Sequence, residues 1–162
     1  MDYDELAELL FVRLKGRIED HAGLDIFARE RSKFEGWLKV ETCEILSEYF
    51  KDVLPEDNRV DITFEDWAIE LKTLNTSIMY PGVKSKTRPI TMNNEGVVKD
   101  IEKLKNKGDI NKGVLFIVFP IEHENRKWKI QLDRISEHLK QLRHSEFKFK
   151  SGVPGMIYFG LV

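Results

Sequence analysis

The feature that most constrains this chain is a continuous apolar run, Val114 to Ile121 (VLFIVFPI), inside a sequence that is 33% charged. It falls well short of the roughly 18 residues needed to span a bilayer. It leaves no room for the polar alternation of a half-solvated strand. A run of this kind fits a strand, expected over 113–121, that is covered on both faces. Its cover must come from amphipathic helices. With 162 residues and 41% hydrophobic content, the chain has enough material for one domain with a real core. Only 5 Pro and 10 Gly argue against a long disordered tract.

Helical spacing supplies that cover. Leu6, Leu9, Leu10, Leu14 and Ile18 predict a helix over 4–20. Ser32 and Glu35 have capping-box spacing at the head of a second helix over 32–51. Val97, Ile101 and Leu104 predict a helix over 94–107, and Leu132, Ile135, Leu139 and Leu142 one over 131–142. Two short strands, 59–64 and 67–73, hinge at Glu65-Asp66. Residues 75–92 read as a loop, and a last strand closes the chain over 156–162. The resulting order is an α/β domain, a mixed central sheet flanked by helices.

Charge is unevenly spread. Residues 1–80 carry 10 Lys and Arg against 19 Asp and Glu, and residues 81–162 carry 16 against 9, within a net charge of −2. Overall charge thus makes no case for a polyanion partner, but the second half can present a local positive field. The acidic opening MDYDE has no basic n-region, so no secretory signal is expected. A single cysteine, Cys43, excludes an internal disulfide or a zinc cluster and fits a reducing, cytoplasmic setting. The four histidines show no metal-ligand spacing, and no Gly-rich phosphate loop is present.

The segment VDITFEDWAIELKT, residues 60–73, carries the chemistry. In a symmetric hairpin about Glu65-Asp66, Phe64 faces Trp67, Ile62 faces Ile69 and Asp61 faces Glu70. Alternation then puts Val60, Ile62, Phe64, Ile69 and Leu71 on one face, and Asp61, Thr63, Ala68, Glu70 and Lys72 on the other. Like charges placed directly opposite destabilise a sheet unless a cation lies between them. Carboxylate oxygens are hard ligands that suit Mg²⁺ or Mn²⁺. Lys72 is placed to hold or deprotonate a water beside such an ion. The same E-x-K spacing at Glu146-Phe147-Lys148 has no opposing acid, so the spacing alone means little. On the helical wheel, Glu41 falls inside the stripe of Phe34, Trp37, Leu38, Ile45 and Tyr49, a position ionisable groups hold when paired or coordinating. A cluster of this kind carries excess negative charge, so Asp61→Asn is expected to be neutral or mildly stabilising without metal.

Asp61 followed by Glu70-Leu71-Lys72, preceded by a helix bearing Glu41, resembles the PD-(D/E)XK nucleases of the restriction-endonuclease-like superfamily. The resemblance extends to an αβββαβ order over about residues 30–121. Val60 stands where the family often has proline, and the short gap between the two acids demands a tight hairpin. The resemblance implies a single nuclease-like domain over 1–162, with helix 4–20 extending its core. It implies a catalytic set of Asp61, Glu70, Lys72 and Glu41, with Mg²⁺ or Mn²⁺ held by Asp61, Glu70 and the Leu71 carbonyl. The implied activity is metal-dependent DNA hydrolysis. The alternative is a non-catalytic nucleic-acid-binding or protein-interaction domain on the same fold, and RNA is the alternative nucleic acid. Double-strand cleavage would call for a homodimer. Lys84, Lys86 and Arg88 in the loop, with Lys99 and Lys103 on the helix after it, are the candidate phosphate contacts.

Overall fold

In the computed structural model, which describes residues 1–85, 91–108 and 111–162, the apolar run becomes the middle of a sheet. The helices are α1 (Tyr3–Glu19), α2 (Ala22–Arg29), α3 (Glu35–Ser47), α4 (Thr91–Lys105) and α5 (Arg126–Ser136). The strands are β1 (Leu54–Pro55), β2 (Ile62–Phe64), β3 (Trp67–Asn75), β4 (Asn111–Phe119), β5 (Gln141–Lys148) and β6 (Pro154–Leu161). Among the described residues they form one open mixed sheet in the order β1-β2-β3-β4-β6-β5. β4 runs parallel to β3 through the α4 crossover and antiparallel to β6.

Alternation along β4 divides two cores. Leu115, Ile117 and Phe119 pack with Leu6, Leu10 and Leu14 of α1 and Leu38 and Ile45 of α3. Val114, Phe116 and Val118 pack with Val97, Ile101 and Leu104 of α4 and with Trp128 and Ile135 of α5. Gly113 is required at the end of the run, because a Cβ there would stand 2.6 Å from the ring of Phe159. Pro120, which has no N–H to give a ladder, follows the strand end.

Several boundaries differ from the sequence reading. The residues 21–30 fold as α2, whose N-cap His21 accepts the Leu24 N–H at Nδ1, 3.1 Å away. The fifth helix starts at Arg126, because Asn125 caps it by accepting the Trp128 N–H. It ends before Leu139 and Leu142, and the chain continues as β5, an edge strand whose half-solvated face leaves little apolar signal. The expected helix 32–51 shortens to α3, with Phe34 at its N-cap and no capping box. The Glu35 carboxylate is engaged by a strand amide instead. No helix among the described residues is long and apolar enough to cross a membrane.

Candidate active site

The hairpin has the expected register: Phe64 pairs with Trp67, Thr63 with Ala68 and Ile62 with Ile69. Its two-residue loop begins with Glu65 at φ 46°, the positive φ that tight hairpin loops demand. Asp61 stands just before β2, one residue beyond the Ile62–Ile69 pair that ends the ladder, and Glu70 follows Ile69 on β3. The two carboxyl groups lie close enough to influence each other's ionisation.

β2 has three residues and β3 nine, so the second half of β3 outruns its neighbour. The N–H groups of Leu71 and Thr73 face that uncovered edge, and buried amides need acceptors. Asp61 Oδ2 accepts from Leu71 N–H at 2.8 Å, and Glu35 Oε2 accepts from Thr73 N–H at 3.1 Å. Thr73 Oγ1 in turn accepts the Phe34 N–H at 3.3 Å, tying the head of α3 to the strand. A strand residue directs its N–H and C=O to the same edge. The Leu71 carbonyl therefore lies on the Asp61 side.

Asp61, Glu70 and Lys72 each have a helical partner. Lys39 of α3 places Nζ 2.8 Å from Asp61 Oδ1 and 3.0 Å from Glu56 Oε1. Burial pushes the Asp61 carboxyl up, but the Lys39 ammonium and the Leu71 N–H outweigh it and hold the group below the usual carboxylate value. Glu70, 4% exposed, behaves oppositely. Burial, opposed by Lys103 and reinforced by the nearby Asp61, pushes its carboxyl up to about 7. Lys103 of α4 reaches Glu70 Oε1 at 2.5 Å. Lys72 lies on the same face as Glu70, with Nζ 2.9 Å from Asp100 Oδ2 of α4. Burial pulls its ammonium down, but Asp100, then Glu35 and Asp61, carry it above the ordinary lysine value. Gly96 of α4 lets the helix pass this side chain, since a Cβ there would lie 3.3 Å from Lys72 Cε.

The hairpin thus brings together Asp61, Glu70 and Lys72, but Glu41 does not join them. Its carboxylate pairs with Arg17 of α1, within a network that includes Glu44 and Glu48. The buried side of α3 runs through Leu38, Thr42, Ile45 and Leu46, whereas Tyr49 is 52% exposed. Counting the half-buried Trp37 and omitting Thr42 and Leu46 turns the apparent stripe toward Glu41. Glu35, on the true buried side one turn before Lys39, is the helical acid that comes to β3.

The basic candidates also divide. Lys84 pairs with Glu30 at 3.4 Å, Lys99 is exposed on α4, and Lys86 and Arg88 lie outside the described residues. Lys103, read as a phosphate contact, instead holds Glu70. Sequence reasoning missed Glu35, Lys39 and Asp100. The available signal for Asp100 was its place beside Val97, Ile101 and Leu104, on a helix whose acids Glu95 and Glu102 are exposed.

Two carboxylates and a main-chain carbonyl form a hard oxygen set of the kind Mg²⁺ takes together with waters and substrate phosphates. Burial is the main cause of the rise at Glu70, and the smaller part that comes from Asp61 is repulsion a cation would relieve. Among the described residues no group of three or more His, Cys, Asp or Glu side chains is arranged to hold a metal by itself. No family model matches the chain, and neither a curated protein nor a solved structure is found to match it.

Proposed function

We propose that this chain is a metal-dependent nuclease that hydrolyses DNA phosphodiester bonds, built on a restriction-endonuclease-like core. The observation that carries this reading is the juxtaposition of Asp61 and Glu70 across a tight hairpin, with Lys72 on the same face. The order α3-β1-β2-β3-α4-β4 supports it by following the αβββαβ pattern.

Asp61, Glu70 and the Leu71 carbonyl would hold Mg²⁺ or Mn²⁺. When bound, such an ion supplies Lewis acidity toward a phosphoryl oxygen and makes water more acidic. The side chains divide the remaining work. Asp61, fixed by the Leu71 N–H and Lys39, is the preset ligand. Glu70 is a carboxyl that gives up its proton when a cation is nearby. Lys72, kept charged by Asp100, donates a hydrogen bond that orients the attacking water or a non-bridging phosphate oxygen. In that state it acts by position and charge, not as a free base.

A second reading has its own support. Lys39 and Lys103 already neutralise the two carboxylates, so the hairpin is stable as a binding module without a cation. One experiment separates the two. Plasmid and single-stranded DNA, with an RNA of the same sequence as comparison, are incubated with the protein in Mg²⁺, Mn²⁺ or EDTA. Cleavage that needs the cation, stops with EDTA and is lost in Lys72→Ala with DNA binding retained is the expected result. Binding without cleavage under either cation would give the function to the module reading.

A further inference from the structure

Lys39 and Lys103 approach the hairpin from opposite layers, Lys39 from α3 and Lys103 from α4. Each ammonium sits on one of the two carboxylates proposed to hold the cation. With both carboxyls ionised, a divalent cation would replace the pair without changing the total formal charge. Carboxylates held largely out of water require a counter-charge, which two ammonium groups or one divalent cation supply equally. Both lysines are suited to exchange: each is a compact charge on a flexible stem. Their side chains retain 22% and 41% exposure, so turning outward opens no core. Turned outward, they would flank the mouth of the site on both sides of the sheet. Lys and Arg in such positions are the usual contacts to a phosphate backbone.

We propose that Lys39 and Lys103 are exchangeable counter-ions, bound to Asp61 and Glu70 without metal and to DNA phosphates once a divalent cation occupies the carboxylates. Cation and DNA then bind cooperatively, each raising affinity for the other by the same factor. This rests on the reading of Asp61 and Glu70 as a metal site. Lys72 takes no part in the exchange, because its partner Asp100 lies outside the metal donor set and keeps it in place.

The test uses the full chain and two readouts that need no cleavage. Mn²⁺ alone is titrated into wild type, Lys39→Met, Lys103→Met and, as a matched charge control on α4, Lys105→Met. Removing a competing ammonium from contact distance should tighten Mn²⁺ by about tenfold in each of the first two variants, and by less than about twofold in Lys105→Met. Affinity for a short DNA duplex is then measured against salt, in Ca²⁺ and in EDTA. In Ca²⁺ each site variant should lose about one unit of the salt slope, the signature of one missing phosphate contact. In EDTA both should bind as wild type does. Equal Mn²⁺ affinity across all four proteins overturns the exchange, as does a loss of DNA affinity that is the same in EDTA. Wild type that takes Mn²⁺ and cuts DNA beside variants unchanged in both assays ends the exchange alone. Absence of Mn²⁺ binding in every protein ends the metal site as well.

Discussion

The two faces of β3 fold under the same sheet yet solve different problems. Toward α1 and α3, Ile69 and Leu71 join an unbroken apolar core. Toward α4, Ala68 and Leu74 are apolar, but between them Glu70 and Lys72 face a helix that answers with Lys103 and Asp100. The rest of α4 seals against β4 with Val97, Ile101 and Leu104, so the helix is able to make a fully hydrophobic contact. Well-packed apolar residues commonly match or exceed a buried ion pair in stability. An ionic strip beside a competent apolar seam thus sacrifices stability at a defined place. That sacrifice points to chemistry more firmly than the motif spacing does.

The largest expected effect comes from the apolar face. Ile69→Ala, at a fully buried position, should cost about 2 to 5 kcal/mol in urea unfolding, equally at pH 5 and pH 8. One residue along, the sign should reverse. The Glu70 carboxyl is pushed from 4.5 up to about 7, so the folded protein keeps a proton that the unfolded chain releases between those values. Stability from this source is complete below about 4.5 and lost as the pH rises through 7. Glu70→Gln should therefore stabilise the metal-free protein at pH 8, by about 2 kcal/mol after discounting for the solvent-facing Lys103. At pH 5 it should be close to neutral. If Glu70→Gln is destabilising at both pH values, Glu70 is an ordinary ion-pair partner and the two faces differ less than their composition suggests.

Asp61→Asn sharpens the contrast within the polar face. The charge count of the sequence alone makes this change neutral or mildly stabilising. The structure reverses that expectation, because Lys39 and the Leu71 N–H favour the ionised form. Asn can still accept the Leu71 N–H but loses the ammonium, so a cost of about 1 kcal/mol at pH 7 is expected. Since the Asp61 carboxyl is held below its usual value, this contribution is present above that value and fades as the pH falls through the folded one. A divalent cation adds a second measurement. At a hundred times its dissociation constant it should stabilise wild type by about 2.7 kcal/mol and the mutant by much less. Equal thermal shifts in the two proteins would remove Asp61 from the metal site.

This hairpin is legible in the sequence because register follows from a two-residue loop and alternation, both local. Ahead of β2 the alternation fails, and Val60 packs with Ala68 and Leu74 instead of with Ile62 and Phe64. The pairing of Ile62 with Ile69 is set within about ten residues of chain, and it brings the neighbouring Asp61 and Glu70 near each other. The central strand is equally legible, since VLFIVFPI admits few other fates. The partners are not. Lys39, Asp100 and Lys103 reach the hairpin only because α3 and α4 pack on opposite faces, and nothing within the 60–73 segment specifies those helices' rotation. Edge strand β5 escapes for a related reason. It buries little, and Leu139 and Leu142 continue the helical spacing of Leu132 and Ile135 past the point where α5 ends.

The smallest effect is expected at Glu41, and it tests the choice of helical acid. Glu41 and Glu35 lie on one helix, Glu41 reading from sequence as a carboxylate inside the apolar stripe and Glu35 as a capping residue. Glu41 turns to Arg17, which also has Glu44 and Glu48 within reach. With other acids nearby, Glu41→Gln should cost no more than about 0.5 to 1 kcal/mol, and less at high salt. Its metal-induced thermal shift should equal that of wild type. Glu35 instead accepts the Thr73 N–H and contributes to the charge on Lys72. Glu35→Ala leaves that buried amide without its acceptor and should cost about 1 to 3 kcal/mol. Thermal melts of both variants with and without Mg²⁺ decide between them. A Mg²⁺ shift diminished by Glu41→Gln and untouched by Glu35→Ala would return Glu41 to the site and displace Glu35 from it.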